Sequence, residues 1–248
     1  MKDGPGNRGF ADDGRRPDAA TFIKANMRLV PVPALPQILL YTAHPASGLR
    51  RLIEWCDHGV EPEDSIEADE NGTEAQPPYW AYAWAGGAVL ARFIFERPQT
   101  VIGRRVLDLG AGSGLVGIAA AKAGARAVLA AEIDRNGVAA IGLNAAANGV
   151  TITVVDKDIT TGPPPAVDLV LAGDVFYGHE VALRVTPFLD RCLAAGIEVL
   201  VGDPRRTDLP LSRLRLLAEY RVPDFGDAKG VATKPSGVFS FEADDRCR

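Results

Sequence analysis

Residues 105–117, R-V-L-D-L-G-A-G-S-G-L-V-G, leave the chain few folds to choose from. Val106, Leu107 and Leu109 make a short buried strand that ends beside an acid and opens into a glycine loop. A helix is expected from near Ser113 through Ile118, Ala119 and Ala120 to a stop at Gly124. Strand, glycine turn and helix N-terminus in succession form a nucleotide-binding element, because unpaired N–H groups then face the ligand. Two nucleotides compete for it. Gly112, Gly114 and Gly117 fit the dinucleotide fingerprint G-x-G-x-x-G, whereas Gly110, Gly112 and Gly114 after Asp108 fit an S-adenosylmethionine loop. A pyrophosphate favours helix-terminal N–H groups with no anion beside them, so Asp108 would repel it. The methionine end of S-adenosylmethionine carries an ammonium near a sulfonium and suits a carboxylate. A plain glycine turn with Asp108 as a capping acid is the third reading.

Downstream the chain alternates strands and helices. Strands are expected at 127–133, 151–155, 167–172 and 197–201, with helices at 135–147 and 180–194 between them. The latter shows Val181, Val185, Phe188, Leu189 and Cys192 on one face, and Pro187 is expected to kink it. A helix at 209–218 and two closing strands, 220–223 and 238–241, complete the pattern. The fold class is α/β: a Rossmann-like, doubly wound, seven-stranded sheet with a C-terminal antiparallel hairpin.

Ahead of the main domain, expected over 77–248, two segments are expected: a disordered tail over 1–17 and an N-terminal extension with an acidic loop over 18–76. Within the extension a helix at 22–27, a proline-punctuated crossing (Pro31, Pro33, Pro36) and a strand at 37–42 form a small lobe. Ser47 is placed to cap a helix bearing Leu49, Leu52, Ile53 and Cys56. Glu61, Glu63, Asp64, Glu67, Asp69, Glu70 and Glu74 face no Lys or Arg in their window; they read as a solvated loop or as an acidic rim that steers a lysine-bearing substrate. The block 77–87, P-P-Y-W-A-Y-A-W-A-G-G, then crowds Tyr79, Trp80, Tyr82 and Trp84 together, either as core or as a wall that covers the cofactor and offers ring faces to a cation.

Net charge of −5 argues against a nucleic-acid groove spanning the surface. No apolar run approaches the roughly 20 residues of a membrane span. Cys56, Cys192 and Cys247 lack metal-ligand spacing and are expected to be reduced, as in a cytoplasm. No metal site is expected. His44, His58 and His179 are scattered, and there is no G-x-S-x-G elbow.

Ligands of open α/β sheets sit beyond the carboxyl ends of the strands. Strand placement therefore gathers Asp108, Glu132, Asp158, Asp174 and Asp203 at one edge. Glu132, about twenty residues beyond the glycines, is expected to bind both ribose hydroxyls. Asp158, with Asp156 as rival, is placed to accept from an adenine amino group. Trp84 and Gly173 complete the expected cofactor contacts. Methyl transfer needs no nucleophile from the chain; alignment and desolvation carry it.

V-L-D-L-G-A-G-S-G, A-A-E-I-D-R and D-V-F-Y resemble the class I (seven-stranded) methyltransferases, and within them the protein lysine methyltransferases marked by D-x-x-Y. P-Y-W-A-Y-A-W-A-G-G, G-D-V-F-Y and V-G-D-P-R-R narrow the likeness to the lysine methyltransferases of the electron transfer flavoprotein β subunit, bacterial members included. The likeness runs from about Phe22 to Phe241. Ala85 departs from a W-P-G-G pattern, and Glu132 stands where Asp is common. The resemblance implies S-adenosylmethionine as cofactor, the flavoprotein subunit as protein substrate and a monomeric enzyme. From their location beyond strand four and before the glycine loop, Asp174 is expected to orient the incoming amine and Tyr177 to take part in catalysis, with Trp80, Tyr177 and Asp203 along the substrate channel. Rival readings are a methyltransferase for a ribosomal large-subunit protein, whose enzymes typically carry N-P-P-F or N-x-x-Y where Asp174 stands, or for a small molecule. A nicotinamide oxidoreductase and a non-catalytic cofactor-binding protein are the others.

Overall fold

A computed structural model describes residues 18–49, 78–223 and 233–244. The expected tail, most of the Ser47-capped helix and the acidic loop lie outside the described residues.

Asp18 opens the first helix, α1 (Ala19–Asn26), by accepting from the N–H groups of Ala20 and Thr21. Strands β1 (Arg28–Val32) and β2 (Leu35–Thr42) follow as an antiparallel hairpin turned at Ala34. The proline-punctuated crossing is thus the turn end of a hairpin, with Pro31 in β1, Pro33 in the turn and Pro36 in β2; Pro31 is tolerated because the pairing shifts register there. After a short turn at Tyr79–Ala81 come α2 (Ala85–Glu96), β3 (Arg105–Leu109), α3 (Leu115–Lys122), β4 (Ala127–Ala131) and α4 (Arg135–Ala147). Then follow β5 (Thr153–Val155), β6 (Leu169–Gly173), α5 (His179–Ala194), β7 (Glu198–Asp203), β8 (Leu214–Pro223) and β9 (Thr233–Phe241). Helix α5 runs on through Pro187.

The large sheet has the order β5-β4-β3-β6-β7-β9-β8, with β3 to β7 parallel and β9 antiparallel to both neighbours. The chain leaves β3 towards β4 on one side and returns to β6 on the other, so the topological switch point lies between β3 and β6. Strand alternation divides the core between the two faces. Val106, Leu169, Leu171 and Leu200 pack under α2, α3 and the hairpin. Leu107, Val170, Ala172, Val199 and Val201 pack against Val185, Phe188, Leu189 and Cys192 of α5. Each such large apolar side chain contributes about 1.5–3 kcal/mol when fully buried.

Residues 209–218 do not form the expected helix. Leu211–Arg213 make one short turn and β8 begins at Leu214. Leu, Arg, Ala and Glu favour helix locally, but pairing with β9 over the length of β8, with one bulge near Leu216, prevails.

Two asparagines fasten the N-terminal hairpin to the domain. Asn148 accepts from the Leu39 N–H at 3.0 Å and donates to the Leu39 carbonyl at 2.6 Å, imitating a strand partner. Asn144, one turn earlier and fully buried, accepts from the Tyr41 N–H at 2.8 Å and donates to the Ser113 carbonyl at 2.8 Å. Asn144 thereby ties the hairpin to the glycine loop. Asn144→Leu would strand a buried donor and a buried acceptor, each costing about 1–3 kcal/mol. Its urea-unfolding midpoint should drop accordingly, and an unchanged midpoint would contradict this role.

Candidate functional site

A cavity of about 400 Å³ opens at the carboxyl ends of the parallel strands. The loop after β3 forms its floor. Gly110, Gly112 and Gly114 all take positive φ (65°, 52° and 78°), which turns the chain tightly from strand to helix. The first turn of α3 directs the Gly117 N–H at Asp108, whose Oδ2 accepts it at 2.7 Å. Asp108 is 1% exposed yet borders the cavity. Burial is the main cause that pushes its carboxyl up to about 7; the Gly117 bond opposes this and the Glu132 charge adds to it.

Glu132, just past β4, is held by three backbone donors. Its Oε2 accepts from Gly112 at 2.7 Å, and Oε1 from Ile133 and Asp134 at 2.8 and 2.9 Å. Burial raises its titration more than these bonds lower it. Three of a carboxylate's roughly four lone-pair sites are in use, so accepting two ribose hydroxyls means releasing one backbone bond. Of the rivals after β5, Asp158 borders the cavity and Asp156 does not. Asp158 Oδ1 accepts from the N–H and hydroxyl of Thr160, which lowers its titration, and Oδ2 lies 3.8 Å from Arg184.

The opposite wall is aromatic. Tyr79 lies 5.0 Å from Tyr177 and 5.6 Å from Trp84 between ring centres, and Tyr82 lies 5.8 Å from Trp84. The Trp84 indole N–H donates to the Tyr79 carbonyl at 2.7 Å, which fixes the wall. Tyr177 is 46% exposed at the cavity, and partial burial beside Tyr79 and Glu132 pushes its phenol up.

Asp174 sits where the two walls meet. A Cβ on Gly202 would come within 2.1 Å of the Gly86 carbonyl oxygen, and one on Gly173 within 2.9 Å of the Gly87 Cα. Only glycine lets the start of α2 lie this close to the ends of β6 and β7. The approach brings the Gly87 N–H to Asp174 Oδ2 at 2.9 Å. Asp174 Oδ1 accepts from Arg206 at 2.5 Å. Asp174 itself takes φ of 56°, a strained backbone for a residue with a side chain and a mark of functional positions.

Trp84, Asp108, Gly110, Gly112, Glu132, Asp158, Gly173, Asp174 and Tyr177 all border the cavity. Three expected residues do not. Trp80, assigned to the substrate channel, is 2% exposed in a core with Phe22, Ile23, Met27 and Ala140. Its neighbours in sequence supply the wall, because the short turn at Tyr79–Ala81 points alternate rings to opposite sides. Gly114 turns its α-carbon towards Ile141 and starts α3. Asp203, expected along the channel, is fully buried and instead accepts from the Arg206 backbone N–H at 2.7 Å.

Sequence reasoning missed Arg206. G-D-P-R-R pointed to the site, but nothing in it distinguishes two adjacent arginines. Positive φ at Arg205 sends that side chain outward to Glu219 and Phe239, leaving Arg206 to face Asp174. Lys157 and Arg184 also border the cavity. Among the described residues no acidic, His or Cys group could hold a metal ion, and no helix is long and apolar enough to cross a membrane.

Comparison with known proteins adds family evidence. The family model described as ribosomal protein L11 methyltransferase (PrmA) matches residues 95–173. The chain is 36% identical over 170 residues to the electron transfer flavoprotein beta subunit lysine methyltransferase of Rattus norvegicus, spanning 66% of this chain and 67% of that protein. It is 38% identical over 176 residues to the protein of that name from Xenopus laevis, spanning 66% and 70%. Among solved structures, a putative RNA methyltransferase from Pyrococcus horikoshii superposes with a TM-score of 0.50 at 15% identity over 79% of this chain and 98% of that one, a likeness of fold alone.

The raised titration of Asp108 makes a prediction about stability. Its carboxyl holds a proton in the fold more tightly than in the unfolded chain, so Asp108 draws stability down as pH rises from about 4 to about 7, by at most about 1.4 kcal/mol per unit. Asp108→Asn, which can still accept from Gly117, removes that slope. Its melting temperature should gain on the wild type between acid and neutral pH; parallel melting profiles would contradict the assignment.

Proposed function

The chain belongs to the family of electron transfer flavoprotein β-subunit lysine methyltransferases, and from that premise we propose that it methylates lysine side chains of such a subunit with S-adenosylmethionine. The observation that carries this reading is the cavity on which a buried acid, a glycine loop, an aromatic face and Asp174 converge.

The residues present fit the cofactor. A desolvated carboxyl such as Asp108 gains from a cationic neighbour, which favours its charged form. The glycine loop and Asp108 would hold the amino-acid end, Glu132 the ribose and Asp158 the base, with Trp84 and Gly173 beside them. When bound, S-adenosylmethionine supplies a methyl carbon whose bond to the sulfonium breaks as a bond to the lysine nitrogen forms, leaving a neutral thioether. What the chain must do is deliver a neutral amine in line with that carbon. A free lysine titrates near 10.4, so its ammonium must first lose a proton. Tyr79, Tyr82, Trp84 and Tyr177 exclude water from one side, which disfavours the ammonium, while their ring faces attract it on arrival. Asp174 accepts an N–H from the amine and aims its lone pair. Tyr177, at the mouth, borders the path of the lysine stem.

The test uses purified chain, methyl-labelled S-adenosylmethionine and unmethylated electron transfer flavoprotein. Label should appear in the β subunit, on lysine. Asparagine tolerates the backbone that Asp174 adopts, so Asp174→Asn isolates the carboxylate. Its turnover should fall about 100-fold or more while cofactor affinity stays within about threefold. Wild-type turnover in that variant would remove Asp174 from the mechanism, and label confined to a ribosomal protein would redirect the acceptor.

A further inference from the structure

Asp174 poses a problem of charge. A carboxylate within about 4–6 Å of an amine raises the amine's titration by about 1–3 units, and so holds on to the proton that must leave. The hydrogen bond that aims the nucleophile would, by itself, keep it protonated.

The structure supplies the compensating charge. Arg206 donates to Asp174 Oδ1 at 2.5 Å, opposite the Gly87 N–H on Oδ2. Its backbone N–H is fixed by Asp203 Oδ1 at 2.7 Å, and its Nε lies 3.9 Å from Asp203 Oδ2, an ion pair without a hydrogen bond. Its guanidinium borders the same cavity as Asp174 and Tyr177. We propose that Arg206 is a positioning residue for the acceptor lysine, cancelling the charge of Asp174 so that this carboxylate can accept from the amine without stabilising the ammonium. The inference rests on the reading of the acceptor as a lysine. A guanidinium suits the task because it keeps its charge throughout the working range and offers several donors in one plane.

Other charges also face the cavity: Asp108 from β3, Glu132 from the end of β4, Lys157 and Asp158 from the loop after β5, and Arg184 from α5. Asp203 faces Arg206 from β7, and Tyr79, Tyr82 and Tyr177 are the remaining titratable neighbours. Of these only Asp203 lies against Arg206, and Arg206→Lys keeps the positive charge beside it, so a shift in the neutral variant that is absent from the lysine variant reports the charge of Arg206.

The experiment measures kcat, at saturating flavoprotein and S-adenosylmethionine so that it reports the bound lysine, from about pH 6.5 to 9.5, with wild type, Arg206→Gln and Arg206→Lys. The neutral variant should show its rise in rate displaced about one unit to higher pH, a loss of about tenfold near neutrality that shrinks as pH increases. Arg206→Lys restores the charge and should leave the profile in place, with a lower plateau. Cofactor affinity should stay within about threefold in both, since Asp108 and the glycine loop are untouched. Arg206→Met replaces the Gln variant should that chain not fold. A neutral variant whose loss is the same at every pH would overturn the proposal, as would a profile shifted by Arg206→Lys. A wild type that binds S-adenosylmethionine yet methylates no lysine of the flavoprotein would overturn the reading of the acceptor, and with it this inference; an active wild type with an unshifted neutral variant overturns the inference alone.

Discussion

The first turn of α2 lies on the ends of β6 and β7 at a distance that only Gly86, Gly173 and Gly202 permit. That contact sets the rest of the site. It delivers the Gly87 N–H to Asp174, holds the aromatic block above the glycine loop and closes the side of the cavity that the sheet leaves open. Side chains at these positions would drive helix and strands apart, and Asp174 would lose one of the two donors that aim its carboxylate.

Charge is the second constraint. Acids at the ends of successive strands are the expected consequence of a parallel sheet that places every strand end on one side. Each is managed differently. Asp108 is dehydrated and waits near neutrality, Glu132 is clamped by three backbone donors, Asp158 is turned onto Thr160, and Asp174 is paired with Arg206. The aromatic wall completes a surface suited to a cation that arrives charged and reacts neutral.

Much of this was legible in the sequence because it is local. Residues 105–117 specify strand, turn and helix through adjacent residues, and the position of each strand end follows from hydrophobic runs that stop at an acid. The seven-stranded α/β sheet with its antiparallel C-terminal pair emerges as expected. Distance in sequence is what hid the rest. Residues 214–218 resemble a helix until β9 pairs with them. The Pro31 strand is fixed by its partner β2, which asparagines more than a hundred residues away hold in turn. Trp80 and Tyr79 have equal claims on the cavity until the packing of α1 decides which ring turns inward. Arg206 rather than Arg205 reaches Asp174 because of one backbone dihedral.

The central claim is that a buried acid on a glycine loop selects a cationic cofactor. Calorimetric titration of the protein near pH 7, in two buffers of different ionisation enthalpy, tests it most directly. S-adenosylmethionine should bind with a heat that differs between the buffers in the sense of proton release, as the arriving cation favours the charged form of Asp108 and its proton passes to the buffer, and a nicotinamide dinucleotide should give no binding heat. Binding of the dinucleotide in preference to S-adenosylmethionine, or proton uptake on binding the latter, would contradict the account.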